Sequence, residues 1–210
     1  MTRRKVSNPL GLAVLALLAE RAMHPYEMAS TLRQRGKEES IRINYGSLYS
    51  VIAALVKAGF ITPLETSREG GRPERTTYSI TEGGLQELDG WLRELLRDPV
   101  KEYPRFEAGL SLMPYLGPDE VAALLGERIR RMKSRAEQTR RAIADAEAQG
   151  LDRLFLVEAE YSLAMQDAEL AWTDGLHRLI RESPDFTRGW RAYHEERARS
   201  QGGRRDAGGS

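Results

Sequence analysis

The first ninety residues are punctuated so closely that only short elements fit between the stops. Asn8-Pro9 offers a helix cap followed by proline at the first helical position, and LGLAVLALLAE then runs as a mostly apolar helix to about Arg21. A helix this apolar belongs in a core. His24-Pro25 opens a second helix in the same way, with Tyr26, Ala29 and Leu32 on one face and Gly36 as its stop. After the charged KEES, Ile41-Arg42-Ile43 leads into a third helix that Asn44 caps, with Ile43 stapled onto Leu48. Leu48, Ile52 and Leu55 form its buried stripe, and Gly59 ends it. FITPLET and ERTTYSIT then read as two β-rich runs joined by SREGGRP, a hairpin tip with Gly70-Gly71 and arginines nearby.

Three short helices followed by a basic hairpin is the order of a winged helix-turn-helix. In such a module the third helix lies in the DNA major groove with its N-terminal residues at the base edges, while the wing reaches the adjacent backbone. The start of the third helix suits that task. Where an amphipathic helix would carry Glu and Lys, it has Asn44, Tyr45, Gly46, Ser47, Tyr49 and Ser50, all short or uncharged donors and acceptors. No acidic residue occurs between Ser40 and Leu64, so nothing in this stretch repels phosphate. Arg68, Arg72 and Arg75 in the wing complete the candidate DNA-binding set. The plainer alternative is that Tyr45 and Tyr49 pack on the first two helices and the serines are merely solvated. Charge favours the nucleic-acid reading: residues 1–81 carry 12 Lys/Arg against 7 Asp/Glu, whereas residues 82–210 carry 20 against 24.

The acidic back half is helical throughout. Thr81 caps a helix in which Leu85, Leu88, Leu92 and Leu95 recur at helical spacing before Pro99. Phe106, Leu110 and Met113 mark a short helix, and GPDE opens a long one. There Leu125, Ile129, Met132, Ala136, Thr139, Ile143 and Ala146 alternate by four and three, a heptad seam that Gly150 ends. A final long helix carries Leu154, Val157, Tyr161, Met165, Ala168, Trp172, Leu176 and Leu179 on one face. These stripes predict a helical hairpin that pairs with a second copy, Leu125, Ile129, Met132, Ala136, Ile143, Tyr161, Met165 and Trp172 being the candidate dimerisation residues; a purely intramolecular bundle is the alternative. The expected architecture is mainly α with a small β-hairpin. It comprises a winged helix-turn-helix over residues 1–90, a coiled-coil-like dimerisation domain over 91–198, and a Gly-rich disordered tail over 199–210.

Catalysis finds no support in this sequence. His24, His177 and His194 are scattered with no second ligand at a metal-binding spacing, so no metal site is expected. REGGRP lacks the Lys-Ser/Thr of a P-loop and the strand-to-helix setting of a dinucleotide fingerprint, and no cofactor is expected. With no cysteine, thiol catalysis and disulfides are excluded and a reducing compartment fits. The longest apolar run, Leu10 to Ala19, is too short to span a bilayer. The expected location is cytoplasmic, with no membrane partner.

LGLAVLALLAE, HPYEMASTL, GSLYSVIAALVKAGFI and GGRPERTTYSITEGG, in that order over roughly residues 9–90, resemble the PadR-like transcriptional regulators. The chain departs from the usual family pattern at Pro25, commonly Gly, and at Ser50, often Pro, the second bearing on base preference. The resemblance implies a homodimeric regulator of a palindromic operator, commonly a repressor relieved by a small molecule. It also implies that a flat aromatic effector binds near the helix linking the two halves, where Trp91 lies. Ordinary packing beside the leucine stripe is the competing account of that tryptophan. A helical interaction module whose winged helix binds protein instead of DNA is the competing account of the whole chain.

Overall fold

Helix α1 (Pro9–Glu20) is the hub of the first half of the molecule, because it is the one helix there that is apolar on nearly every side. Leu10, Val14, Leu15, Leu17 and Leu18 are all buried, and the Asn8 side chain accepts a hydrogen bond from the Leu10 amide to close its N-terminus. The computed structural model describes the backbone of residues 6–67 and 75–206, and the chain divides into two compact units, Met1–Lys101 and Glu102–Ser210.

In the first unit, α2 (Pro25–Gln34) and α3 (Tyr45–Ala58) pack on α1 through Met28, Ala29 and Leu32 and through Leu48, Val51, Ile52 and Leu55. The antiparallel strands β1 (Ile61–Ser67) and β2 (Arg75–Ile80) follow, with Ile61 opposite Ile80 and an irregularity between Pro63 and Thr66. Met23, between α1 and α2, exchanges two backbone hydrogen bonds with Tyr78 at 3.1 and 3.0 Å, so the hairpin is tied to the helices. This is a winged helix-turn-helix, as its order of elements predicts. Tyr26 does not share the burial of Ala29 and Leu32, with which its spacing groups it. Tyr26 is 65% exposed, because the buried line of α2 runs through Pro25, Met28, Ala29 and Leu32, and Tyr26 falls beside it.

Helix α4 (Glu82–Arg97) also buries a different line from the leucine stripe. Gly84, Leu88 and Trp91 face inward, while Leu85, Leu92 and Leu95 are exposed. A close backbone approach sets this roll: a β-carbon on Gly84 would lie 2.1 Å from the Phe60 carbonyl oxygen. Thr81 reinforces the junction, its hydroxyl donating to the Gly59 carbonyl at 2.8 Å and accepting from the Gly84 amide at 3.0 Å. The whole of α4 therefore belongs to the first unit, and the division falls after it, not at residue 90.

The second unit is all helical in its described residues. Helix α5 (Arg105–Leu112) and a 3-10 turn (Met113–Tyr115) lead into α6 (Pro118–Ala148). A second 3-10 turn (Arg153–Phe155) then leads into α7 (Val157–Glu182), and α8 (Pro184–Asp206) follows. α6 and α7 form a hairpin whose core joins Val121, Ala122 and Leu125 to Leu176 and Ile180. The last long helix is interrupted because Pro184 forces extended backbone on Ser183 (φ −111°, ψ 96°). α8 then returns to the start of α6. Trp190 Nε1 donates to the Leu116 carbonyl at 2.8 Å, His194 Nε2 to that of Pro114 at 2.9 Å, and Arg197 to that of Tyr115 at 3.1 Å. The helix continues through Asp206 where a disordered tail from residue 199 is expected, since elongating a formed helix adds a hydrogen bond per residue and outlasts two glycines. Residues 207–210 of that tail lie outside the described residues.

The glycine pair in α4 gives a direct check of the junction. Gly84→Ala forces the β-carbon into backbone and is expected to destabilise the protein by about 2–4 kcal/mol. A β-carbon on Gly83 meets only Thr81 Oγ1 at 3.7 Å, so Gly83→Ala is expected to stabilise by about 0.5–1 kcal/mol. Urea denaturation followed by circular dichroism measures both. Equal effects would refute the close approach.

Candidate nucleic-acid interface

The start of α3 is polar because its cap and first turn have no core to fill. Asn44 is extended and its side-chain oxygen accepts from the Ser47 amide at 2.8 Å, leaving the other first-turn N–H groups pointing out of the helix end. One turn later Leu48, Val51, Ile52 and Leu55 are buried in the head, and this fixes the helix about its axis. Consequently Asn44, Tyr45, Gly46, Tyr49 and Ser50 are exposed together and Ser47 is half-buried. The structure thus gathers all six predicted residues of α3 at one surface and places Tyr45 and Tyr49 largely outside the core. Ser50 is partly committed, since its hydroxyl donates to the Gly46 carbonyl at 2.9 Å and offers a partner chiefly its lone pairs.

Tyr45 is held in place. Tyr26 stacks on it with ring centroids 6.2 Å apart and planes 14° apart. From α2, Arg33 donates to the Tyr45 hydroxyl at 3.2 Å, its guanidinium carbon 5.0 Å from the ring centre, and it also donates to Glu38 at 3.1 Å. The Tyr45 hydrogen bond first, and then that to Glu38, raises the Arg33 pKa above its ordinary value. Tyr26 and Arg33 are absent from the sequence-derived set. The only signal in the sequence is their helical spacing on α2, seven residues apart, which puts them on one face.

A cleft of about 500 Å³ runs between the residues preceding α1 and the start of α3. Ser7, Asn8, Asn44, Ser47 and Ser50 supply its polar lining, and Val6, Val51 and Ala54 its floor. Among the described residues no charged side chain lines it, and the N-terminal ends of two helices border it, an arrangement that tolerates phosphate. Of the wing residues, Arg68 and Arg72 lie outside the described residues, and Arg75 is described only as backbone, paired with Ser67.

Trp91 is 4% exposed, with its ring edge 3.7 Å from the point where a Gly11 β-carbon would stand. Within the first unit it is a packing residue against α1, and a ligand stacking on its face would have to displace that contact. The predicted dimerisation residues separate into two groups. Leu125, Ile129 and Ala136 are buried and Met132 and Ile143 half-buried, because the α6 seam turns toward the hairpin of its own chain. Tyr161, Met165 and Trp172 are exposed, since α7 meets α6 with the neighbouring face that buries Thr173 and Ile180. Among the described residues no group of His, Asp and Glu could hold a metal ion, and no helix is long and apolar enough to cross a membrane.

Residues 14–90 match the model of the Transcriptional regulator PadR-like family. Bacillus subtilis PadR in complex with operator DNA superposes with a TM-score of 0.67 at 19% identity, covering 82% of this chain and 99% of that one. The same protein in complex with p-coumaric acid gives 0.63 at 18%, covering 85% and 100%. The Vibrio cholerae virulence activator AphA gives 0.63 at 17%, covering 82% and 98%. At these identities the structural likeness is one of fold. No curated protein matches the chain.

Single substitutions on α3 separate base reading from backbone binding. Tyr45→Phe keeps the ring stack and removes the hydroxyl, and Ser47→Ala removes a hydroxyl at the start of α3. Each is expected to shift preference among operator variants by about 1–3 kcal/mol where a base contact is lost. Asn44→Ala, which removes the cap, is expected to cost about 1 kcal/mol of stability and to weaken binding to every sequence. Gel shifts against a panel of single-base operator variants distinguish the two patterns.

Proposed function

From its membership in the PadR-like family of transcriptional regulators, through residues 14–90, we propose that this chain is a homodimeric repressor whose two α3 helices enter the major groove at the halves of a palindromic operator. The observation that carries the reading is the exposed, uncharged, hydrogen-bonding start of α3, rolled outward by the buried stripe behind it. Asn44, Tyr45, Gly46, Ser47, Tyr49 and Ser50 read or position the DNA. Arg68, Arg72 and Arg75 of the wing meet phosphate.

The dimer contact is assigned to the outer face of α7, where Tyr161, Met165 and Trp172 present a continuous apolar stripe beside Val157 and Leu179, all exposed. The α6 residues serve it indirectly, by holding α7 in a hairpin. A single head reads few base pairs, whereas two linked heads gain roughly 10²–10⁴ in avidity without a new DNA contact. Release by a small aromatic effector completes the proposal. It is supported by the operator-DNA and p-coumaric acid complexes of the Bacillus subtilis relative.

Replacing Tyr161 and Met165 together by Asp is expected to leave a folded monomer by sedimentation and to lower operator affinity by about 10²-fold or more. The log of affinity should fall linearly with log salt, at about −0.9 per phosphate contact. A monomeric parent protein, or affinity insensitive to salt, would overturn the dimeric DNA-binding reading. Deleting the gene should raise expression from an operator-controlled reporter; a fall would make the protein an activator.

A further inference from the structure

The second unit contains a cleft of about 460 Å³ between α6 and α7, within the size range of small-molecule sites. Its floor is built from small or apolar residues of α6, namely Ala122, Ala123, Gly126 and Ile129. Gly126 lets two polar groups approach the floor closely: a β-carbon there would lie 3.4 Å from His177 Nε2 and 3.8 Å from an Arg130 terminal nitrogen. A side chain longer than alanine there would press on both groups and move them.

Charge at the rim is unbalanced once existing pairs are removed. Asp119 is held by both terminal nitrogens of Arg191 at 2.6 and 2.7 Å, and Asp174 by Arg178 at 3.2 Å. The hydrogen bonds from Arg191 keep the Asp119 carboxyl below its ordinary pKa, so it stays anionic and satisfied. Elsewhere on the hairpin Arg128, Arg131, Arg140 and Arg141 each hold a carboxylate. Arg130 and Arg181 hold none among the described residues, and both line this cleft together with His177, which likewise makes no hydrogen bond there. Two free guanidiniums and an imidazole above an apolar floor suit a carboxylate with a compact apolar body. They do not suit a cation, because both aspartates are already neutralised, nor bare phosphate, which the apolar floor would not recognise.

We propose that the α6–α7 cleft binds a small organic carboxylate, with Arg130 and Arg181 on the carboxylate, His177 beside it and its apolar body over Ala122, Ala123 and Ile129. The binding claim stands on this geometry alone; its coupling to DNA rests on the proposed function.

The test uses the full chain, benzoate as probe, and NMR of the three histidine rings, assigned by substitution. Benzoate is expected to shift the His177 ring signals saturably and leave those of His24 unmoved, while benzamide and inorganic phosphate bind at least about tenfold more weakly. Arg130→Gln and Arg181→Gln, both at exposed positions that need not disturb folding, should each weaken benzoate by about tenfold or more; Gly126→Leu should abolish it. No saturable shift, equal binding of benzamide or phosphate, or binding indifferent to both arginine substitutions would overturn the site. Operator gel shifts with and without benzoate then address coupling. Unchanged DNA affinity despite bound benzoate would leave the site standing and refute its role as the releasing signal.

Discussion

Burial of α1 is the constraint on which the reading head depends. A helix apolar on nearly every side cannot sit at a surface, so α2, α3, α4 and the hairpin must enclose it, and each is left with one face for solvent. For α3 that enclosure decides function. Four buried positions, Leu48, Val51, Ile52 and Leu55, fix the helix about its axis and leave its polar first turn pointing outward. Fully burying side chains of this size is worth about 1.5–3 kcal/mol each, far more than the solvation preference of a few serines, so the core determines where the serines go. The same enclosure explains Gly84, where α4 can close on the hairpin junction only without a β-carbon.

The head was legible in the sequence because its signals are local. Asn8-Pro9, His24-Pro25, Asn44, Gly59 and Thr81 each mark a helix end by chemistry that acts within four residues, and each cap appears in the structure within a residue of its expected place. What the sequence did not convey is which of two adjacent faces a helix buries. Helical spacing sets Tyr26 on one face with Ala29 and Leu32, yet Met28 is buried with those two and Tyr26 is exposed. In α4 the leucines outnumber the glycine, but close backbone approach selects the face with Gly84, Leu88 and Trp91. Apolar spacing reports that a face exists. Backbone distances and competing partners choose among the faces.

The candidate site shows the same division. Its α3 members follow from an unusual run of polar, uncharged residues, and that run is visible in one dimension. Its α2 members, Tyr26 and Arg33, gain their role from contact with Tyr45 across a turn, which no spacing rule encodes. The stack has a physical consequence. Tyr45 is restrained on one face by a ring and at its hydroxyl by a guanidinium, so less side-chain freedom remains to be lost when the surface is covered.

The second unit carries its polar and apolar surfaces in an order that agrees with the proposed dimer. Across the α6–α7 seam Arg128 meets Glu169 and Arg140 meets Asp167, Thr173 is wholly buried with its hydroxyl donating to the Glu169 carbonyl, and Gln166 Oε1 is buried without a hydrogen bond. Such a seam is specific but adds little stability, since the ion pairs are partly exposed and screened by solvent and an unpaired buried oxygen costs about 1–3 kcal/mol. Two helices joined by a short turn tolerate that cost, because the chain already holds them together and no association entropy is lost. Two separate chains must first overcome several kcal/mol of lost translational and rotational freedom, and apolar burial is the term best able to do so. Beyond the apolar residues that the hairpin buries in its own core, Val157, Tyr161, Met165, Trp172 and Leu179 stay largely exposed along α7. Within the hairpin the charge pairs flank an apolar core, and the exposed stripe of α7 is the apolar area left for the proposed contact between chains.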